Sequence, residues 1–316
     1  MQLRRSLAFH RRGLTTGWVA AIPAVLGLLL LGPGDSARAG TLDRVRDLGK
    51  LKLGYRVDAR PFSYEDESGK PAGYSLVLCR RVADAVKAEP GLAQIAVEYV
   101  KVGSDDRFDA VKEGRIDLLC GAATATLGRR KTVDFSTPIF PSGIGALLRR
   151  DAPERLKAAL EGREPPYRPR WRASLAEVLE KRVLSAQAGT TTESWLARRR
   201  EELNVNAVIV TVQSYREGVD RVLGRRSDVL FGDRAILLDA AARSSSAGDL
   251  VILTRQFTYE PLALASARGD DDFRLLVDRT LSRLYRSGEI AGIYTSFFGE
   301  PDASALAFFG FVALPE

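Results

Sequence analysis

The chain has 316 residues, 45% of them hydrophobic and 28% charged, which is typical of a soluble globular protein of one large or two ordinary domains. Its formal net charge is +7, but it contains no long basic stripe interleaved with aromatic residues, which argues against a nucleic-acid partner. The only histidine is His10, near the N-terminus, so the rest of the chain cannot form a histidine-dependent catalytic triad or a histidine-ligated metal site. We therefore expect neither a metal nor a cofactor.

Residues 1–39 have the pattern of a secretory signal. Basic residues come first, an apolar run from Trp18 to Leu31 follows, and small residues surround Ala39. The apolar run is short for a membrane span, so we expect export to the periplasm and cleavage after Ala39, with an uncleaved anchor as the alternative. This segment holds five of the 47 basic residues and one of the 40 acidic ones, which leaves 42 against 39 and a net charge of +3 for the mature chain.

Strand and helix patterns alternate along the mature chain. Strands are predicted at 51–55, 62–64, 95–102, 116–120, 142–150, 183–187, 207–212, 228–233, 251–254 and 262–267. Helices are predicted at 41–50, 74–87, 107–113, 174–181, from a Thr192 cap onward, and at 215–223, 234–243, 271–287 and 289–298. This alternation predicts an α/β layered fold with largely parallel strands, onto which an apolar tail after Pro301 packs.

The regular alternation is lost between residues 151 and 172. The second half of this segment is rich in proline and arginine and has neither helical nor strand periodicity. Long connections of this kind are uncommon in compact domains, so we interpret residues 151–172 as a loop insertion.

Two cysteines, Cys79 and Cys120, remain after the signal. They lack the spacing of a metal site, and an exported chain lies in an oxidising compartment. A disulfide between them and a pair of small buried thiols are both open interpretations.

Polar groups follow the ends of several predicted strands. The stretch from Leu118 to Phe140 begins as an apolar strand, continues with small and hydroxyl residues, and then carries Arg129, which suits an oxyanion such as a carboxylate. Arg56 and Asp233 also lie at strand ends, where open parallel sheets bind ligands. Cations together with one acid would suit a zwitterion, although Asp233 is equally well interpreted as a helix N-cap.

The order of short motifs along the chain resembles that of the extracytoplasmic solute-binding proteins (family 3) of amino-acid ABC transporters. Within that family it is most similar to the glutamate/aspartate-binding branch, over about Leu42 to Phe298. The motifs are Gly54-Tyr55-Arg56, Pro61-Phe62-Ser63-Tyr64, Gly73-Tyr74-Ser75, Gly114-Arg115-Ile116-Asp117, Arg129-Arg130-Lys131, Asp134-Phe135-Ser136, Gly189-Thr190-Thr191 and Asp228 to Asp233.

The resemblance implies a two-lobed periplasmic-binding-protein architecture of type II, which closes on its ligand as a hinged trap. The first lobe would comprise residues 40–141 and 259–316, and the second would comprise 142–258. The chain would act as a monomer that delivers an amino acid to the membrane permease of an ABC transporter.

The resemblance also assigns roles at the ligand's α-carbon. Arg129 would bind the α-carboxylate as a bidentate pair, and Thr124 with the N–H groups of Thr190 and Thr191 would complete that site. Asp233 would bind the α-ammonium.

The remaining assignments concern the ligand's side chain. Positions matching Arg56, Ser104 and Arg107 would hold a side-chain carboxylate, for which two arginines are suited. Tyr215 stands where the branch has a histidine. The branch also places hydroxyl-bearing residues where this chain has Ala122, Ala123 and Ala125.

Two other functions compete with this one. The first is an enzyme on the same fold, such as a cyclohexadienyl or arogenate dehydratase, which would need a carboxylate acid such as Glu193 or Glu260. The second is a ligand-sensing domain. We favour non-catalytic capture of an acidic amino acid over both, and expect no enzymatic activity.

Overall fold

A computed structural model describes residues 40–163 and 178–316. The predicted signal, the second half of the predicted loop from residue 164, and residues 174–177 of the predicted helix at 174–181 lie outside these ranges. Within them, the strands are β1 Lys50–Tyr55, β2 Asp58–Ala59, β3 Ser63–Glu65, β4 Pro71–Ala72, β5 Ala96–Lys101, β6 Leu118–Thr124, β7 Val133–Phe135, β8 Phe140–Ser142, β9 Ile144–Arg149, β10 Val183–Gln187, β11 Val208–Val212, β12 Val229–Asp233, β13 Leu250–Ile252 and β14 Glu260–Ala267. The α-helices are α1 Thr41–Leu48, α2 Tyr74–Ala88, α3 Arg107–Lys112, α4 Glu154–Glu161, α5 Thr191–Glu202, α6 Tyr215–Leu223, α7 Arg234–Ala242, α8 Asp271–Ser287, α9 Glu289–Phe298 and α10 Ala303–Val312.

The first sheet has the strand order β5-β1-β6-β14-β7, with β8 also paired to β14. Strand β1 is parallel to β5 and β6, whereas β14 is antiparallel to β6, β7 and β8. Leu118 of β6 packs in the core on one face of the sheet and Leu119 in the core on the other, because successive side chains of a strand point to opposite faces. Strands β2, β3 and β4 form a separate, small antiparallel sheet.

The second sheet has the strand order β11-β10-β12-β9-β13. Strand β10 is parallel to β11 and β12, and β9 is antiparallel to β12 and β13. The expectation of largely parallel strands is therefore wrong, since both sheets are mixed. The antiparallel members, β9 and β14, are the strands that the chain enters from the other sheet, so no helical crossover within one sheet fixes their direction.

The chain passes between the sheets twice, at Gly143 and at residues 253–259, and the two crossings run side by side. The Ile144 N–H donates to the Thr258 hydroxyl at 3.0 Å, and the Phe257 N–H donates to the Ile144 carbonyl at 2.8 Å. A Cβ atom at Gly143 would lie 1.9 Å from the Thr258 carbonyl oxygen, so this close approach requires glycine. The predicted lobe boundaries stay a prediction, which the change of sheet at both crossings supports.

Part of the predicted loop is helical. Residues Glu154–Glu161 form α4, so the loop prediction for 151–172 is wrong over that range. Leu156 and Leu160, one turn apart, are buried in the core of the second sheet, and Gly162 ends the helix with a φ of 73°. Two leucines in eight residues make too short an apolar pattern to identify a helix without the core that they contact.

Cys79 of α2 and Cys120 of β6 form a disulfide, with Cα atoms 6.1 Å apart. The apolar tail folds as α10 and buries Phe309, whose ring centroid lies 5.2 Å from that of Tyr285. Within 40–163 and 178–316, no helix is long and apolar enough to cross a membrane.

Candidate functional site

A cavity lies between the two sheets, at the ends of their strands, and it encloses about 400 Å³ of space, part of which is open to solvent. Its walls come from both sides of the crossings, and eight of the nine residues predicted to bind a ligand line it. The lining residues are Arg56, Arg107, Ala122, Thr124, Arg129, Gly143, Ile144, Thr190, Thr191, Thr192, Tyr215, Asp233, Ile236, Glu260 and Leu262.

Ser104 is the predicted residue that the described structure does not place in the cavity wall. Its backbone instead contacts the turn before α5, where Gly189 has a φ of 68°. A Cβ atom at Gly189 would lie 2.7 Å from the Ser104 carbonyl oxygen. The Ser104 backbone therefore lies close against the turn, and the assignment of Ser104 to a ligand carboxylate stays a prediction.

Arg107 is a buried cation whose hydrogen-bonding capacity is largely unused. It begins α3, is 2% exposed, and donates from Nη2 to the Gly189 carbonyl at 3.1 Å. Its Nε and Nη1 groups, here called the open donors, have no acceptor among the residues that the structure describes. Burial, together with the charges of Arg56 and Arg129, lowers the pKa of Arg107 to about 9. A buried arginine with open donors favours an anionic ligand.

Arg56 is equally buried but forms an ion pair within the protein. Its Nη2 and Nε donate to Asp58 Oδ1 at 2.7 and 3.1 Å, and Nη2 also donates to Gln187 Oε1 at 3.0 Å. Gln187 Nε2 donates in turn to Asp58 Oδ2 at 2.6 Å. Asp58 and Gln187 were missed by the sequence interpretation. An acid two positions after the strand-end arginine was the available signal for Asp58.

Arg129 lies between the cavity and an aromatic ring. Its Nη1 donates to the Thr124 carbonyl at 2.8 Å. The guanidinium carbons of Arg129 and Arg107 each lie 4.7 Å from the ring centroid of Phe108, within cation–π range. Burial lowers the pKa of Arg129, whereas the charge of Glu260 raises it.

The N-terminus of α5 borders the cavity. The Thr190 hydroxyl accepts the N–H of Glu193 at 3.3 Å and donates to the Gln187 carbonyl at 2.7 Å, so Thr190 is the N-cap. The predicted cap at Thr192 is wrong, because the turn at Gly189 starts the helix two residues earlier. The first N–H groups of a helix have no partner within the helix and carry partial positive charge, so this turn suits an anion.

Asp233 ends β12 and caps the following helix, and its binding of the α-ammonium stays a prediction. Its Oδ1 accepts the N–H groups of Ala235 and Ile236 at 3.0 and 3.4 Å, which caps α7, while Oδ2 accepts the Ser142 hydroxyl. It also lines the cavity. Its pKa is raised from the ordinary 3.8 to about 6, mainly by burial and in smaller part by the charge of Glu260.

Tyr215, the first residue of α6, is buried beside Asp233. A Cβ atom at Gly232 would lie 2.5 Å from Tyr215 Cε1, so the absence of a side chain at Gly232 makes room for the ring. Burial raises the pKa of Tyr215, and the charge of Asp233 adds to this rise. The phenol therefore stays neutral at physiological pH and can bind a ligand only as a hydrogen-bond donor or acceptor.

Glu260, at the start of β14, was missed as a binding residue and named only as an acid for an enzyme. Its Oε2 accepts the hydroxyls of Thr124 and Thr191 at 3.0 and 2.8 Å. Glu193, the other acid named, accepts the Gly189 N–H at 2.9 Å and the Thr211 hydroxyl at 3.1 Å, and it is not among the lining residues of the described structure. Within the described ranges, no cluster of His, Cys, Asp and Glu side chains is arranged to hold a metal ion.

The family model for bacterial extracellular solute-binding proteins, family 3, matches residues 51–300. The L-glutamate/L-aspartate-binding protein of Pseudomonas aeruginosa is 30% identical over 280 residues, covering 88% of this chain and 86% of that protein. The glutamate/aspartate import solute-binding protein of Escherichia coli is 24% identical, covering 90% of this chain and 87% of that protein.

Solved structures share the fold. An ancestral amino acid-binding protein, AncCDT-1, a precursor of cyclohexadienyl dehydratase, superposes with a TM-score of 0.66 at 25% identity, covering 82% of this chain and all of that one (100%). The cysteine-binding protein of Campylobacter jejuni superposes with a TM-score of 0.66 at 20% identity, covering 84% of this chain and 96% of that one. Like these neighbours, the chain has the two-lobed α/β fold of amino-acid-binding proteins.

Proposed function

The chain belongs to the bacterial extracellular solute-binding proteins of family 3, and on that premise we propose that it captures glutamate or aspartate and delivers it to the permease of an ABC transporter. Named relatives that bind or import these two amino acids support the choice of ligand. The matched family and these relatives are binding proteins, so the chain is a transport component and not an enzyme. Export with cleavage after Ala39, and action as a monomer, belong to the same proposal.

The observation that carries the choice of an acidic ligand is Arg107. A buried arginine with open donors costs free energy in the empty site, and a carboxylate that accepts from those donors removes that cost. We assign the ligand's side-chain carboxylate to Arg107. Arg56, at the same cavity, adds a second positive charge that attracts this carboxylate. A neutral amide in place of the carboxylate would leave this cation without a counter-charge.

The other end of the ligand would lie toward the crossings. We assign the α-carboxylate to Arg129 and to the N–H groups of Thr190 and Thr191. Arg129 supplies a charged guanidinium, and the two N–H groups belong to a helix N-terminus. Asp233, which lines the cavity, would bind the α-ammonium through its carboxylate, and Tyr215 lies beside it.

Calorimetric titration of residues 40–316 with glutamate, aspartate, glutamine and leucine tests the ligand class. We expect micromolar or tighter binding of at least one of the two acidic ligands, because only they provide a second carboxylate for Arg107. Binding of glutamine in the absence of any binding of glutamate or aspartate would contradict the proposal.

Arg129→Ala tests the assignment of the α-carboxylate. We expect the variant to lose binding of every α-amino acid, because a buried ligand carboxylate would be left unpaired. Arg130→Ala is the matched control, since Arg130 is the next residue, is exposed, and lies outside the cavity wall. If Arg129→Ala binds as tightly as the control, Arg129 does not belong to the site.

A further inference from the structure

The carboxylate of Glu260 is fixed to the two crossings between the lobes. Glu260 follows the second crossing directly, and its Oε1 accepts the hydroxyl of Thr258 at 2.9 Å. The same hydroxyl accepts the N–H of Ile144, on the other crossing, at 3.0 Å. The acid is therefore held at the point about which the lobes would move.

Its second oxygen joins the two lobes. Oε2 accepts the hydroxyl of Thr124, from the first sheet, at 3.0 Å, and the hydroxyl of Thr191, at the N-terminus of α5 beside the second sheet, at 2.8 Å. The two hydroxyl oxygens are 3.5 Å apart. This bridge exists only when the lobes bring Thr124 and Thr191 together, so it belongs to the closed arrangement.

The bridge also decides what the two hydroxyls can offer a ligand. A threonine hydroxyl has one proton, and both protons are donated to Glu260. Only oxygen lone pairs remain for the cavity, so Thr124 and Thr191 can accept hydrogen bonds from a ligand but cannot donate to it. This is the reverse of the donor role that the family resemblance gives to Thr124.

We propose that Glu260 is a specificity-determining positioning residue, which latches Thr124 to Thr191 in the closed form and turns both hydroxyls into acceptors for the ligand's α-ammonium. The α-carboxylate is then held by Arg129 and the N–H groups of α5. This inference rests on the proposed function, because it concerns the same amino-acid site. It makes the ligand class more specific, because the site would prefer α-amino acids to α-keto acids. A keto oxygen would face the lone pairs of the two threonine hydroxyl oxygens.

Glu260→Gln tests the latch with a side chain of the same size. An amide N–H donates to one threonine, which frees that hydroxyl's proton to point into the cavity. We expect glutamate affinity to fall about tenfold, the effect of one lost hydrogen bond. The loss should appear in a faster dissociation rate with an unchanged association rate, because the latch forms after encounter.

The preference for glutamate over 2-oxoglutarate supplies a readout that a merely structural role would not move. In Glu260→Gln we expect the ratio of glutamate affinity to 2-oxoglutarate affinity to fall by a larger factor than the glutamate affinity itself. The reason is that the freed hydroxyl can donate to a keto oxygen. The control is Glu217→Gln, which removes a half-buried carboxylate from the second lobe, where it accepts the Gln213 N–H at 2.8 Å and does not line the cavity.

A double-mutant cycle tests whether Glu260 acts through the hydroxyl. Thr191→Val removes the partner, so adding Glu260→Gln to it should cost less than Glu260→Gln costs the wild type.

The outcomes separate the inference from the proposed function. If wild-type protein binds no acidic amino acid, the proposed function fails. If it binds glutamate and Glu260→Gln binds with the same affinity and the same preference, only the latch is overturned. Tighter glutamate binding by the variant would make Glu260 a competitor of the ligand, and equal losses for both ligands with a lower melting temperature would make it structural. Either result overturns the inference.

Discussion

Arg56 and Arg107 are two buried arginines at one cavity, and their surroundings differ. Both are 2% exposed, yet Arg56 donates to Asp58 and Gln187, whereas Arg107 keeps its open donors. Burial of a cation is therefore not by itself the mark of a ligand-binding residue. The useful mark is a buried charge whose hydrogen-bonding groups the surrounding protein does not fully use.

The difference arises from the acids near each arginine. Asp58 lies two residues after Arg56, and its carboxylate accepts a hydrogen bond from the Arg56 guanidinium. Arg107 follows Asp105 and Asp106, but their carboxylates accept backbone N–H groups of their own loop, and Asp106 also pairs with Arg115 at 3.2 Å. Acids adjacent in sequence to Arg107 are thus engaged elsewhere, which leaves its charge for a ligand.

Among the substitutions that distinguish the two arginines, Arg107→Met is expected to have the largest effect. Glutamate affinity should fall about a hundredfold, because a charge-assisted pair is lost, while glutamine affinity should change much less. The melting temperature of the ligand-free variant should rise, because an incompletely paired buried cation is removed. Calorimetric titration and thermal unfolding measure both, with exposed Arg80→Met as the control. A uniform loss across ligands would show that Arg107 does not select the side chain.

A smaller and opposite effect on stability is expected from Arg56→Met. The unfolding free energy should fall by about 2 kcal/mol, since Asp58 is left without its cation, and this is measured by denaturant unfolding. Asp58 is 27% exposed, which keeps the expected loss below that for a fully buried pair. Adding Asp58→Asn should recover most of it. No recovery would mean that packing of Arg56, rather than its charge, stabilises the protein.

The smallest effect concerns Asp233, the buried acid with both a structural and a proposed binding role. Its pKa of about 6 means that falling pH protonates it in the empty site. Because the ligand's ammonium needs the ionised form, affinity should drop as pH falls below about 6, toward tenfold per pH unit. Titration of glutamate between pH 7 and 5 measures this, and constant affinity would contradict the assignment.

The same pKa predicts a stability change of the opposite sign. A carboxyl whose pKa is higher in the folded state binds its proton more tightly there, so its contribution becomes more favourable as pH falls from about 6 toward the ordinary 3.8. Asp233→Asn removes this dependence without any need for ligand. If the stability of the ligand-free variant still changes with pH as steeply as that of the wild type between about pH 6 and 3.8, another group titrates in that range.

The sequence by itself determined the α/β class, the order of most elements and most of the polar residues around the cavity. Apolar periodicity is a local property, and residues at strand ends meet at one edge of a sheet, so Arg56, Thr124 and Asp233 were identifiable without coordinates. The order of the motifs indicated the family because each motif is a short local structure, which can be identified from the sequence alone.

Only the tertiary structure decided how those residues are used. The bond from Arg56 to Gln187 joins residues 131 positions apart, and that from Thr124 to Glu260 joins residues 136 apart. Such pairs depend on how the two crossings bring the sheets together, which no local pattern encodes. For the same reason, the mixed strand directions, the short helix α4 and the position of Ser104 outside the cavity wall of the described structure became evident only in the folded chain.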